Sequence, residues 1–180
     1  CSVSAPGGAL GSGTTLDSAR KCRVVADQLV VDPDYVRGYM IGEHGPSGFP
    51  MFTGVNVGGV GFDGLAKLFD ADPMDRDELT TRINDAGTAV FNLKGWTSAG
   101  IGQSAITIAR SILLNEHAVY PVCTTLHGQY GHDGDVSMGV PCVIGATGVE
   151  RILEVPLDDW EQEHLASTIK AIQETVEAAS

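Results

Sequence analysis

The order of helical and strand-like segments is the feature of this sequence that most constrains its fold. Apolar residues recur at helical spacing in several long stretches, whereas strand-like runs come in two adjacent groups. The helical stretches span about residues 16–30, 74–93, 98–114 and 158–179, and the strand-like runs span about 36–41, 49–52, 55–57, 118–125, 136–144 and 151–155. Grouped strands, rather than strands in steady alternation with helices, favour an α+β fold over a doubly wound parallel sheet.

Local signals set the ends of the first helix and of the domain. Thr14 stands three residues before Asp17, which resembles a capping box, and Asp32-Pro33 ends the helix. Residues 1–10 are mostly Gly, Ser, Ala and Pro. We therefore expect a linker or severed start over 1–10 and one domain over 11–180.

The composition is that of a globular protein with a strong negative charge. The 180 residues are 43% apolar and 19% charged, and the net charge is −12. That charge argues against non-specific binding to nucleic acid, and an anionic ligand would need a local arginine. No apolar run approaches the roughly 20 residues of a membrane span, and the first residues lack the basic start and apolar centre of a signal peptide. We expect a cytoplasmic protein with no membrane segment.

The cysteines favour reduced thiols. Cys1, Cys22, Cys123 and Cys142 are widely spaced and form no CxxC pair, so a disulfide framework is not expected in a domain of this size. The chain opens at Cys1 rather than at a methionine. We expect it to be a piece cut from a longer protein.

Two patterns resemble binding motifs, one for a dinucleotide and one for a metal ion, but neither predicts a binding site. Residues 59–64 match GxGxxG, but the helical piece that follows is short and the next long element is another helix, so a dinucleotide-binding loop is not expected. The second pattern brings together ligand-type side chains whose spacing matches no zinc signature. Its members are Cys123, His127, His132, Asp133 and Asp135. We expect no metal site.

Two separate patterns could each present polar side chains to a cleft. His44 follows a short apolar run and lies between Gly42 and Gly45, a glycine-flanked tip that can hold a side chain at the edge of a cleft. Asp17 and Arg20 are three residues apart, so on a helix they share a face. Taken alone, His44 is a loop residue and the acid-base pair is a surface ion pair worth at most about 1 kcal/mol.

Several motifs together resemble the C-terminal, substrate-binding domain of the L-lactate/malate dehydrogenase family. They are GSGTTLDSAR at 11–20, IGEHG at 41–45, NVGG at 56–59, KGWTS at 94–98 and SMGVPCVIGATGVERILEVPL at 137–157. NEHAVYPV at 115–122 and HGQYG at 127–131 are more similar to the lactate branch than to the malate branch. The resemblance implies antiparallel sheets packed with long helices, and an N-terminal NAD-binding half that this chain lacks.

The resemblance also implies roles for individual residues in the reaction of (S)-lactate and NAD+ to pyruvate and NADH. His44 would be the acid/base, and Asp17 would orient its ring. Arg20 would bind the substrate carboxylate through two parallel hydrogen bonds, and Thr97 would line the pocket around the substrate side chain. The cofactor contacts implied at the nicotinamide are Ser12 and Ile101. The full-length protein would be a homo-oligomer, a tetramer or dimer, and this chain alone would have little or no activity.

The sequence departs from the family at three positions. Pro46 stands where the family usually has Asp, and Cys22 and Arg37 stand at the arginine and histidine that bind fructose 1,6-bisphosphate in many bacterial members. Activation by that sugar phosphate is therefore not implied. An L-2-hydroxy-acid (hydroxyisocaproate-like) dehydrogenase and a malate dehydrogenase remain alternatives within the enzyme class. A non-catalytic binding or assembly module remains an alternative from a different class.

Overall fold

The helices and strands follow the grouped order that the sequence predicts, in a computed structural model that describes residues 9–178. The helices are α1 (Thr15–Leu29), α2 (Phe62–Leu68), α3 (Arg76–Lys94), α4 (Ser98–Leu113) and α5 (Asp159–Ala178). The strands are β1 (Val36–Arg37), β2 (Met40–Ile41), β3 (Phe49–Pro50), β4 (Asn56–Val57), β5 (Val60–Gly61), β6 (Ala118–His127), β7 (Asp133–Gly145) and β8 (Gly148–Ile152). Most of the predicted linker, residues 1–8, lies outside the described residues.

The strands form three antiparallel sheets, so the α+β prediction is confirmed. The largest sheet has the order β6-β7-β8, with Tyr120 opposite Cys142 near its centre. Two smaller sheets have the orders β1-β4-β5 and β2-β3. No helix in the described part of the chain is long and apolar enough to cross a membrane.

The buried apolar side chains form two clusters. The first lies among α1, α2 and α3, where Val25, Phe52 and Leu65 are fully buried. The second lies between the large sheet and the helices α4 and α5, around Val140 and Ile144. The predicted apolar face of α5 packs on this second cluster through Leu165, Ile169 and Ile172, whereas Val176 is 55% exposed and does not belong to it.

The predicted strand over 36–41 is wrong, because two short strands in different sheets replace it. Val36 pairs with Val57 in one sheet, and Met40 pairs with Pro50 in another. Between them Gly38 adopts a φ of +125°, and a side chain there would lie 2.5 Å from Lys21 Nζ. The chain therefore passes from one sheet to another at Gly38. The run of mostly apolar residues does not indicate this change.

Two further segments can be compared with the sequence predictions, namely the last strand and the GxGxxG match. The last strand runs over Gly148–Ile152 and not over 151–155, because β8 begins directly at the hairpin that pairs Gly145 with Gly148. Of the glycines in the GxGxxG match, Gly59 lies in the turn that connects the antiparallel strands β4 and β5, Gly61 ends β5 and Gly64 lies in α2.

Candidate active site

Two hydroxyl groups fix the register of α1 against β2. Thr14 Oγ1 donates a hydrogen bond to the Met40 carbonyl at 2.6 Å, and the Met40 amide donates to Ser18 Oγ at 2.8 Å. The capping-box prediction for Thr14 is wrong, because this hydroxyl bonds to β2 and not to the first turn of its own helix. Both groups are buried, so the α1 face that carries Asp17 lies firmly beside the end of β2.

The loop after β2 is held against the large sheet. Gly42 and Gly139 of β7 exchange two backbone hydrogen bonds, of 2.9 and 2.8 Å. Farther along, the Gly48 amide donates to the Gly45 carbonyl at 3.2 Å and closes a turn. Pro46 occupies the second position of that turn, where its fixed φ is favourable. The departure from the family at Pro46 is therefore compatible with the local backbone.

Asp17 binds both basic side chains of the candidate site. Its Oδ2 lies 2.6 Å from His44 Nδ1, and its Oδ1 lies 2.8 Å from Arg20 Nη1. The side chains of Asp17 and Arg20 are only 16% and 19% exposed, so this is not the solvated surface pair that spacing alone suggests. The imidazole of His44, by contrast, is 51% exposed.

The contacts with Asp17 leave further hydrogen-bonding capacity on each basic side chain. Because a carboxylate only accepts hydrogen bonds, its contact with Nδ1 assigns a proton to that nitrogen and leaves Nε2 of His44 to gain or lose one. The guanidinium of Arg20 uses one of its five donors on Asp17 and keeps others for a second carboxylate. The arrangement can therefore exchange a proton and bind an anion side by side.

The structure places the other predicted site residues around the N-terminal end of α1. Ser12 is half-buried, and its carbonyl accepts the Thr15 amide at 3.1 Å. Thr97 is the N-cap residue of α4, where its side chain makes no capping hydrogen bond. The first turn of α4 contacts α1, because Gly100 lies directly against Leu16, and the half-buried Ile101 comes next. Among the described residues, no hydrogen bond or ion pair joins Thr97 to His44, Asp17 or Arg20.

The candidate site is open to solvent at His44, whose side chain is 51% exposed. One cleft is lined by Phe62, Arg76 and Asp158, and another by Thr124 and Glu150. Neither cleft is lined by the three charged residues of the candidate site. A substrate bound there would need a further wall to exclude water.

Two of the residues considered for a metal site, His127 and Asp133, make only a long contact. His127 Nδ1 lies 4.0 Å from Asp133 Oδ1, and both side chains are well exposed. Burial raises the pKa of the Cys123 thiol, which disfavours the thiolate that a metal would require. No cluster of three or more metal-ligating side chains occurs within the described residues.

Sequence reasoning missed the residues that support the site. Thr14, Ser18 and Thr168 make buried hydrogen bonds to the segment around His44. Thr168 lies 125 residues from its partner Glu43. An isolated threonine in an amphipathic helix gives no local signal of such a contact.

Comparisons with known proteins agree with this architecture. The family model for the lactate/malate dehydrogenase alpha/beta C-terminal domain matches residues 14–180. L-lactate dehydrogenase 2 of Clostridium acetobutylicum is 41% identical over 167 residues, which are 91% of this chain and 52% of that protein. L-lactate dehydrogenase 1 of Lactobacillus acidophilus is 38% identical over 170 residues, with shares of 94% and 52%.

A solved structure shows the same fold. The crystal structure of lactate dehydrogenase from Eimeria maxima with NADH and oxamate matches 94% of this chain and 52% of that one, with a TM-score of 0.87 and 30% identity. The chain spans about half the length of the curated relatives it matches. It belongs to the lactate/malate dehydrogenase family, as the C-terminal domain.

Proposed function

We propose that this chain is the substrate-binding and catalytic domain of an NAD-dependent L-lactate dehydrogenase, which interconverts (S)-lactate and pyruvate. The observation that carries the proposal is the contact of Asp17 with both His44 and Arg20. The names of the relatives support the same substrate. Enzyme activity would require a dinucleotide-binding part, which the resemblance places before this domain.

His44 would move the proton of the reaction. In lactate oxidation, Nε2 takes the proton of the substrate hydroxyl group. The hydrogen on the carbon that carries this hydroxyl leaves as hydride, so the C–O bond becomes a carbonyl. In the reverse direction the imidazolium returns that proton to the carbonyl oxygen. Asp17 favours this because its carboxylate fixes the ring through Nδ1 and stabilises the positive charge that the ring gains.

Arg20 would hold the substrate carboxylate beside that imidazole. Its guanidinium lies close to Gly87 of α3. A Cβ atom added at position 87 would lie 3.0 Å from Nη1 of Arg20. The planar fork can donate two parallel hydrogen bonds to a carboxylate. With a net charge of −12, this local cation is what overcomes the repulsion of an anionic substrate.

The residues present fit only the nicotinamide end of NAD. Ser12 offers a hydroxyl for the carboxamide, and Ile101 offers an apolar side chain for the ring; both are half-buried. NAD, when bound, supplies the acceptor for the hydride. The GxGxxG match of this chain begins in the turn of an antiparallel hairpin, so the phosphates and the adenosine would be bound by another part of the protein.

We also propose that the full-length protein is a cytoplasmic homo-oligomer. Large apolar side chains lie exposed at the C-terminal end of α3, in the connection to α4 and on α4 itself, which supports a further contact surface there. They include Phe91, Leu93, Trp96, Ile106 and Leu113, which are 56–86% exposed. The three described cysteines are free, in keeping with a reducing compartment.

The substrate assignment is tested by Arg20→Lys in a full-length protein that carries this domain. A point charge replaces the two-pronged contact, so the affinity for oxamate, an analogue of pyruvate, should fall by about 2 kcal/mol, which is roughly thirtyfold. Arg23→Lys is the matched control, because Arg23 is exposed on the same helix and pairs only with Asp27. Equal affinities in the two variants would refute the role of Arg20.

A further inference from the structure

A threonine of α5 contacts both sides of the loop that carries His44. Thr168 is fully buried, and its Oγ1 accepts a hydrogen bond from the Glu43 amide at 3.0 Å. The same oxygen lies 3.0 Å from Ser47 Oγ. Residues immediately before and three positions after His44 are thus tied to one hydroxyl group.

The hydrogen bonds of this hydroxyl have a defined direction. Ser47 Oγ donates its single proton to the carboxylate of Glu43. The proton between Ser47 and Thr168 must therefore come from Thr168, which accepts from the Glu43 amide and donates to Ser47. The result is a closed ring of three hydrogen bonds that begins and ends on Glu43.

Close packing adds to this ring. A side chain at Gly42 would lie 2.7 Å from Thr168 Oγ1, so the backbone just before the ring rests directly on Thr168. The helix itself is anchored independently, because Ile169 and Leu165 pack on the second apolar cluster. Thr168 is therefore a fixed support for a loop that is otherwise open to solvent.

The exposed imidazole needs such a support. Half of the His44 side chain faces solvent, where water competes for the hydrogen bond to Asp17. We propose that Thr168 is a positioning residue that, through Glu43 and Ser47, keeps His44 within hydrogen-bond distance of Asp17. The inference rests on the proposed role of His44 for its catalytic meaning, but the contact itself can be measured without catalysis.

The experiment records the NMR signals of this chain in Thr168→Val and Thr168→Ser variants. Valine keeps the shape of threonine and removes the hydroxyl, whereas serine keeps the hydroxyl. The readouts are the ¹⁵N shifts of the His44 ring and the exchange rate of the Glu43 amide, with Asp17→Ala marking the shift of a ring that has lost its partner. Thr175→Val is the matched control, because Thr175 lies exposed on the same helix and bonds only to the Ala171 carbonyl.

The valine variant should move the His44 ring signals toward those of Asp17→Ala and speed exchange of the Glu43 amide by about tenfold. The serine variant should restore both signals, and Thr175→Val should change neither. Unchanged ring signals in Thr168→Val, or an equal change in Thr175→Val, would overturn the proposal.

A second variant keeps the test decisive if Thr168→Val does not fold. Ser47→Ala breaks the same ring in a half-buried loop, and it should shift the His44 signals in the same direction. Unchanged signals in that variant would also overturn the proposal. Because these signals need no turnover, a failed dehydrogenase assay would refute the proposed function and leave this result standing.

Discussion

Asp17 Oδ2 lies 2.6 Å from His44 Nδ1, across 27 residues of sequence, while its other oxygen binds Arg20. A shared, mostly buried carboxylate should contribute more to stability than an exposed one. We expect Asp17→Asn to lower the free energy of unfolding by about 2 kcal/mol, since two contacts with basic side chains are weakened and Arg20 stays mostly buried.

The chain offers a matched control for that change on the same helix. Asp27 pairs with Arg23 at 2.9 Å, but these side chains are 50% and 68% exposed. Asp27→Asn should therefore cost about 0.5 kcal/mol or less. Urea unfolding of both variants measures the difference, and equal losses would mean that the Asp17 contacts are as weak as a surface pair.

A second prediction concerns Lys21, which is fully buried in α1. Its Nζ donates to the Arg37 carbonyl at 3.3 Å. Burial lowers the pKa of Lys21 to about 8 from its ordinary 10.5, against an opposing contribution from Cys22. Folding around the charged amine therefore costs about 3 kcal/mol below pH 8, so Lys21→Met should stabilise the chain at pH 7 by about 2 kcal/mol.

The stability gained in Lys21→Met should depend on pH. Between pH 8 and 10.5 the unfolded chain binds the Lys21 proton more tightly than the folded chain, so the contribution of Lys21 to stability rises with pH. Burial raises the pKa of Tyr39 and Cys142, which act in the opposite direction but are present in both proteins. The advantage of Lys21→Met should therefore shrink between pH 7 and pH 10 in urea unfolding. A constant advantage would contradict the buried charge as its cause.

A third prediction separates backbone strain from crowding. Gly42 and Gly128 have nearly the same φ, +98° and +97°, but an added methyl group would meet Thr168 at Gly42 and open space at Gly128. Gly128→Ala should cost about 1 kcal/mol for the backbone. Gly42→Ala should cost about 2 kcal/mol more, because its methyl group meets the Thr168 hydroxyl. Equal losses in thermal or urea unfolding would show that the loop does not rest on Thr168.

The sequence predicts the long elements and the site residues to different extents. The four long helices and the two long strands of the large sheet follow from the pattern of apolar residues, whereas the bounds of β8 do not. The split at Gly38 does not, because the mostly apolar run gives no sign that the backbone there adopts a φ of +125°. The charged trio could be placed on one helix face and one loop, but its contacts depend on Thr14, Ser18 and Thr168. Those hydroxyls act across the fold, and local pattern does not reveal their partners.

The most direct test of the account is the turnover of a full-length protein that carries His44→Ala in this domain. His117→Ala is the matched control, since His117 is an exposed histidine that also binds a carboxylate, Glu150, at 2.9 Å. Pyruvate reduction by NADH should fall by at least about a hundredfold in His44→Ala, with NADH binding retained, because only the proton carrier is lost. His117→Ala should retain normal turnover. Normal turnover in His44→Ala would contradict the assignment of His44 as the acid/base.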